Sequence, residues 1–438
     1  VQASDGGFGI VPDIVIESNT QTGLPQRQHR TPIVWTNSLT GYVFYIVPGF
    51  DLVYRKTTDG GNTWSAAVTI DAASEDFITY WYDRWTPGNT GNLVHIAGVP
   101  STTGLFEYRQ FDTATDTTTA NQVIANVSGG SITPNTGYRG NSYSIVKARS
   151  GILYYLARVG STSTGIAVFR SSTNDGSSWS GALAVPFEST VADIAILVPG
   201  TVAGNSTFPT DNNAVWCIFN DKSENQLSIK YYDQSADTWT ETLIFDSSMI
   251  AGSSAEEHNS GFAAAQGHNS SSVFVAAHNA ILSTDSNLRI WQFTTSTTLP
   301  TPFVTSLTLG WGLDLLYDNI NNRLYVAYGT GAVASQNIRW RRSDDTGVTF
   351  GTESTFDQNA GDEKWGLWLA PVVPASIGGR FEPVWAIATA ADLVTNFANS
   401  VALVSGTFFG VLVDWNNNGV FTDSGEDITT DVLRARWR

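Results

Sequence analysis

Apolar positions along this chain fall in runs of roughly four to eight residues, the length of buried or half-buried strands. Runs at 33–35, 42–47 and 52–56 open the series, and Ser, Thr, Asn, Asp and Gly crowd the gaps between runs. No stretch repeats its apolar positions at helical spacing over a full helix, so the pattern predicts an all-β chain. The third run leads into Thr57-Thr58-Asp59-Gly60-Gly61-Asn62-Thr63-Trp64, and a further short run comes at 66–70. Ser172-Thr173-Asn174-Asp175-Gly176-Ser177-Ser178-Trp179 and Ser343-Asp344-Asp345-Thr346-Gly347-Val348-Thr349-Phe350 repeat that turn sequence.

The physical content of the repeated turn is local. The Asp or Asn at its third position can accept hydrogen bonds from the turn's own N–H groups, and the Gly two residues later tolerates positive φ. A turn satisfied in this way leaves no free reactive group, and its closing aromatic is free to enter the space between sheets. Degenerate versions come after the runs at 105–110, 227–232 and 288–293, so the units recur at about 57 residues, one four-stranded blade each. At that spacing the stretch from Phe8 to Phe409 holds seven units, the last using runs at 365–370, 384–388 and 401–404. The prediction is a seven-bladed β-propeller over 1–409, with six blades as the alternative, and a C-terminal extension over 410–438. The three full turns should join third and fourth strands in blades one, three and six. Residues 10–16 should close the ring as the outer strand of the last blade, removing an exposed edge.

Composition narrows the partners. The net charge is −17, against the clustered Lys and Arg that phosphate backbones require, so nucleic acid is excluded. No apolar run is long enough to span a bilayer, so no membrane insertion is expected. Cys217, the single cysteine, lies in the apolar run 214–219 and reads as a small core residue.

The first unit, with Arg30-Thr31-Pro32-Ile33-Val34 ahead of the turn at 57–64, resembles the sialidase-like, Asp-box (BNR repeat) β-propellers. In that family an Arg-x-Pro strand supplies one of three arginines that clamp a substrate carboxylate, which the resemblance places at Arg30. The family also carries an acid/base Asp on a loop within the first blade, where this chain has only Pro48-Gly49-Phe50-Asp51, and a Tyr nucleophile paired with Glu, which has no assigned counterpart. Tyr82-Asp83-Arg84-Trp85-Thr86-Pro87-Gly88 and Gly378-Gly379-Arg380-Phe381 look similar to uncharacterised propellers encoded by environmental phages.

Residues at the beginnings of the channel-lining first strands can converge on one face. The expected ligand-binding set is Arg30, Asp83, Arg84, Arg139, Glu257, His258, Trp311 and Trp365. Guanidiniums would grip a carboxylate and Trp faces would stack on a sugar ring. Glu256 and Glu257 are adjacent and would point to opposite faces of a strand, so they cannot serve as a glycosidase pair. The tail Asp414-Trp415-Asn416-Asn417-Asn418-Gly419-Val420-Phe421-Thr422-Asp423-Ser424-Gly425-Glu426 puts oxygen side chains at positions 1, 3 and 5 and Gly at 6, as a Ca²⁺ loop does. Its ligands would be Asp414, Asn416, Asn418, the Val420 carbonyl and Asp423 or Glu426, with an Asx-rich hairpin as the other reading. The expected function is a non-catalytic extracellular or virion-surface propeller recognising glycan or a neighbouring protein; the alternative is an exo-acting glycoside hydrolase of sialidase type.

Overall fold

A computed structural model describes residues 13–20, 32–72, 75–100, 105–126, 142–159, 166–187, 194–200, 211–221, 226–246, 262–266, 272–278, 287–293, 302–306, 312–331, 337–357, 364–387, 392–396 and 400–404. The chain is all-β, a seven-bladed β-propeller. Blade 1 runs Ile33–Trp35, Gly41–Val47, Asp51–Thr57 and Val68–Asp71 from the inside out, and blade 2 runs Glu75–Tyr82, Leu93–Pro100, Leu105–Asp112 and Gln122–Asn126. Blade 3 is Ser142–Lys147, Leu153–Val159 and Ile166–Ser172; blade 4 is Ile194–Pro199, Val215–Asp221, Gln226–Asp233 and Thr238–Asp246. Blade 5 is Phe262–Gln266, Val273–His278, Asn287–Phe293 and Phe303–Ser306, and blade 6 is Leu313–Asp318, Arg323–Thr330, Asn337–Ser343 and Ser354–Asp357. Blade 7 takes Lys364–Trp368, Val384–Ile387 and Asp392–Thr395 from one end of the chain and Ile14–Glu17 from the other, so the ring closes as expected.

Two expected strands fall elsewhere. The run at 401–404 is not in blade 7: Val401–Leu403 pairs with Gly379–Phe381 in a separate two-stranded sheet, and Asp392–Thr395 takes the third place. The reason is that the connection between the first two strands of blade 7 makes an excursion, which offers a second free edge. In blade 3 the run at 183–185 is not a strand, although Leu183 N still donates to Phe169 O at 3.2 Å.

Blades are covered on both faces by their neighbours, which is why many of their strands read as continuous apolar runs. Gly41–Val47 is buried at every position through Ile46. The Phe44 ring lies 5.5 Å from Tyr80 and 5.3 Å from Phe111 of blade 2, and Tyr54 lies 4.7 Å from Phe111. Such aromatic pairs add about 0.5–1.5 kcal/mol each beyond area burial.

The three repeated turns close the third strands of blades 1, 3 and 6. In blade 1 the Asp59 carboxylate accepts from Thr63 N (2.9 Å), Thr63 Oγ1 (2.7 Å) and Thr57 Oγ1 (2.8 Å), while Thr57 Oγ1 accepts from Gly61 N (2.9 Å). Ser343, Asp345, Gly347 and Thr349 repeat these bonds, and Ser172, Asn174, Gly176 and Ser178 do so with one reversed, Asn174 Nδ2 donating to Ser178 Oγ at 2.8 Å. Burial by itself would raise the Asp59 carboxyl, but its Thr63 and Thr57 donors hold it below the ordinary carboxylate value. The turn Gly has φ of +95° at Gly61, +81° at Gly176 and +92° at Gly347. At each, the missing side chain makes room for the preceding blade: Glu382 against Gly61, the Tyr108 ring against Gly176, the Phe274 ring against Gly347. The closing aromatics finish the same joints. Trp179 meets Tyr108 edge-on at 5.3 Å, and Phe350 lies 4.7 Å from Phe303.

Buried charges also bridge blades. Arg109 pairs with Asp71 across blades 1 and 2, and Lys364 Nζ lies 3.0 Å from Asp357 across blades 6 and 7. Arg55 Nη2 lies 3.0 Å from Glu17 where the ring closes, and Tyr45 Oη also donates to Glu17 at 2.8 Å. Breaking such a pair on one side leaves a charge uncompensated, so these bridges favour one blade order over slipped ones.

Candidate functional site

An up-and-down blade puts the beginning of its first strand at one end of the ring and the end of that strand at the other. Arg30, Arg139, Glu257, His258 and Trp311 lie outside the described residues. Trp365 sits in the first strand of blade 7, opposite Ala386 in register. Asp83 and Arg84 are not where the sequence placed them. The first strand of blade 2 is Glu75–Tyr82, so both residues come after its end, in the 3-10 turn Asp83–Trp85. They therefore share the end of the ring that carries the three repeated turns and do not converge with Trp365. The nearly continuous apolar run from Phe77 to Tyr82 just before Asp83 was the available signal.

Around Asp83 the fold assembles a buried polar cluster across blades 2 and 3. Arg84 is directed away from it, donating to Gly91 O at 3.0 Å and Asn92 Oδ1 at 2.9 Å. Asp83 Oδ1 receives His95 Nε2 at 2.9 Å and Lys147 Nζ at 2.7 Å, and Oδ2 accepts from Leu93 N at 3.1 Å. The Tyr108 hydroxyl lies 2.6 Å from His95 Nδ1, and Lys147 Nζ also contacts Asp175 Oδ1 at 2.8 Å. His95 is wholly buried, whereas the Asp175 side chain is 53% exposed.

Electrostatics fixes most of the protonation states. Burial would raise the Asp83 carboxyl, but hydrogen bonds and charge from His95 and Lys147 prevail and hold it at about 2. Burial pushes the His95 imidazole below its ordinary value, against the opposing pull of Asp83. For Lys147, burial is outweighed by Asp175 and Asp83, and the ammonium is raised. At neutral pH Asp83 and Lys147 are thus ionised and His95 neutral. With Nε2–H directed to Asp83, the ring's Nδ1 is the acceptor for Tyr108. Neither His95 nor Tyr108 gave a sequence signal, because each reads as one position of an ordinary strand.

A second buried cluster lies between blades 7 and 1. Arg380 Nε donates to Glu382 Oε2 at 3.1 Å, Thr395 Oγ1 donates to Oε1 at 3.1 Å, and Arg380 also reaches Ser38 O and Ser400. Burial raises the Glu382 carboxyl to about 7 despite Arg380.

The tail residues Asp414, Asn416, Asn418, Val420, Asp423 and Glu426 lie outside the described residues. Among the described residues no group of three or more His, Cys, Asp or Glu side chains is placed to hold a metal ion. Cys217 is buried, and burial pushes its thiol far up. Among the described residues no helix is long and apolar enough to cross a membrane.

No protein-family model matches the chain, and no curated protein matches it. Among solved structures it is similar to a polysaccharide lyase of family PL25, an ulvan lyase, at 10% identity and a TM-score of 0.48, covering 89% of this chain and 94% of that one. It is similar to a chain of a mitotic checkpoint complex at 10% identity and a TM-score of 0.48, covering 90% and 96%. The NanB sialidase of Streptococcus pneumoniae matches at 10% identity and a TM-score of 0.40, over 90% of this chain and 70% of that one.

Proposed function

We propose that this protein is a non-catalytic binding propeller of an extracellular or virion surface, recognising glycan or a neighbouring protein. The observation that carries the reading is the state of Asp83. Its carboxylate is buried, stays ionised and has both oxygens occupied, so it acts as a counter-ion to Lys147 and is no proton donor at neutral pH. Asp59 and Asp345 of the repeated turns are likewise committed to their own turns. Ligand contacts are proposed at Arg30, Arg139, Glu257, His258, Trp311 and Trp365; Asp83 and Arg84 are proposed to have a structural role.

The test pairs a fluorogenic sialoside with a glycan-binding assay. The expected outcome is no release of sialic acid, and an Arg30→Ala variant altered in binding but not in turnover. Robust hydrolysis abolished by Arg30→Ala would establish the sialidase-type alternative.

The tail is proposed to bind Ca²⁺ weakly, because hard oxygen side chains on a Gly-pivoted loop suit that ion and two Asn among them keep the ligand charge low. Calorimetric titration of the calcium-stripped protein should give heat that Asp414→Ala removes. An unchanged signal in that variant would leave the Asx-rich hairpin.

A further inference from the structure

Nothing in the proposed binding role uses the neutral imidazole at the centre of the blade 2–3 joint. His95 is wholly enclosed, and every charged or titratable group facing it is identified: Asp83 from the turn after the first strand of blade 2, Tyr108 from that blade's third strand, Lys147 from the first strand of blade 3, and Asp175 from its turn. Two blades are fastened here by one shared oxygen, since Asp83 Oδ1 holds His95 of its own blade and Lys147 of the next. The same joint seats the Tyr108 ring on Gly176 and lays Trp179 against it.

We propose that His95 is an acid-sensitive latch, whose protonation loosens the joint between blades 2 and 3. The geometry gives the reason. In the closed joint Nδ1 accepts the Tyr108 proton, so a second proton on the ring must displace it, and the hydroxyl must turn to the Asp175 carbonyl oxygen 3.2 Å away. The ring would then carry its charge in an enclosed site, 2.9 Å from an oxygen already held by a Lys147 ammonium. In the opened joint His95 meets water and takes its proton near the ordinary value of about 6.5. Below that pH the open form therefore binds more protons than the closed one, and the opening constant rises by up to about tenfold per pH unit as the medium is acidified. Above it the latch is indifferent to pH.

Amide hydrogen exchange read by mass spectrometry, corrected for intrinsic rates between pH 7.5 and 5, tests this. Segments 91–95 and 172–179 should exchange faster as pH falls below about 6.5, by up to about tenfold per unit in the slow amides. The blade 6 turn at 343–350 has the same internal hydrogen bonds over Phe274 and no histidine, so it should not respond. His95→Gln keeps a donor for Asp83 and an acceptor for Tyr108 but cannot titrate, and should abolish the acid response at 172–179. Lys147→Met removes the competing ammonium, lets the closed joint accept the proton more readily, and should shrink the acid response at 172–179 while leaving its onset near pH 6.5. An equal response of the two turns in the wild type overturns the proposal whatever the variants do. So does an undiminished response in His95→Gln, or, if that variant does not fold, an undiminished response in Lys147→Met.

Discussion

Glu382 is the side chain whose surroundings and expected protonation disagree most with an exposed carboxyl. It is enclosed between Gly61 and Thr395, and its value near 7 lies above that of an unfolded chain, about 4.5. A raised acid holds in the folded state a proton that the unfolded chain has released. Its contribution is therefore complete below about pH 4.5 and is lost as pH rises toward 7. Glu382→Gln, neutral at every pH, should not lose it. Urea denaturation at pH 4.5 and 7.5 should show the wild type losing roughly 2–4 kcal/mol relative to Glu382→Gln over that interval. Parallel pH profiles would mean that Arg380 keeps Glu382 ionised in the fold. His95 works in the opposite direction, withdrawing stability as pH falls below about 6.5, so the two joints respond at different ends of the same range.

Within the repeated turn, the bonds that the first-position hydroxyl makes to the third residue and to the Gly N–H are the same in all three copies, and the environment of the Gly is not. An alanine at any of the three would carry a positive φ, at about 1 kcal/mol. Gly347→Ala adds only a 3.1 Å approach to the Phe274 ring, which has some freedom to shift. Gly176→Ala would overlap a Tyr108 ring pinned by its hydroxyl to His95, and Gly61→Ala would run into the Glu382 carboxylate. Overpacking of this kind costs typically a further 1–3 kcal/mol. Chemical denaturation should therefore rank Gly347→Ala as the mildest of the three, and a Gly347→Ala variant at least as unstable as Gly176→Ala would contradict the packing described. Asp59 supports its turn from within, so Asp59→Ala should cost about 1–2 kcal/mol through lost hydrogen bonds while leaving the blade order intact.

For the molecule as a whole, stability depends on the last joint. Ile14–Glu17 covers the edge of Asp392–Thr395, and Glu17 is anchored by Arg55 and Tyr45 of blade 1. Burial would raise the Glu17 carboxyl, but Arg55 and Tyr45 prevail and hold it low, which marks the contact as favouring the ionised form. Removing residues 13–20 with all that precedes them exposes the edge of Asp392–Thr395 and takes from Arg55 its carboxylate partner, so the ring should open and self-associate. Size-exclusion chromatography with light scattering should show the loss of a monomeric species. Glu17→Gln, which keeps the strand and weakens the anchor, should remain folded with a lowered unfolding midpoint.

The strands, the blade repeat, the closing role of the N-terminal segment and the three satisfied turns were legible in the sequence alone. Each is a matter of local periodicity or of hydrogen bonds within eight residues, and local chemistry leaves a local trace. The third strand of blade 7 was not legible, since the short runs at 392–395 and 401–403 are equally apt for an edge and only the excursion through Gly379–Phe381 decides between them. Nor was the placement of Asp83, because the sequence does not mark where the eight-residue strand Glu75–Tyr82 begins, and so which end of the ring Asp83 reaches. Above all, the pairing of His95 with Asp83, Lys147 and Tyr108 depends on two blades meeting at a fixed register. No spacing along the chain records that register, so the tertiary structure alone made a titratable joint out of residues that read singly as ordinary strand and turn positions.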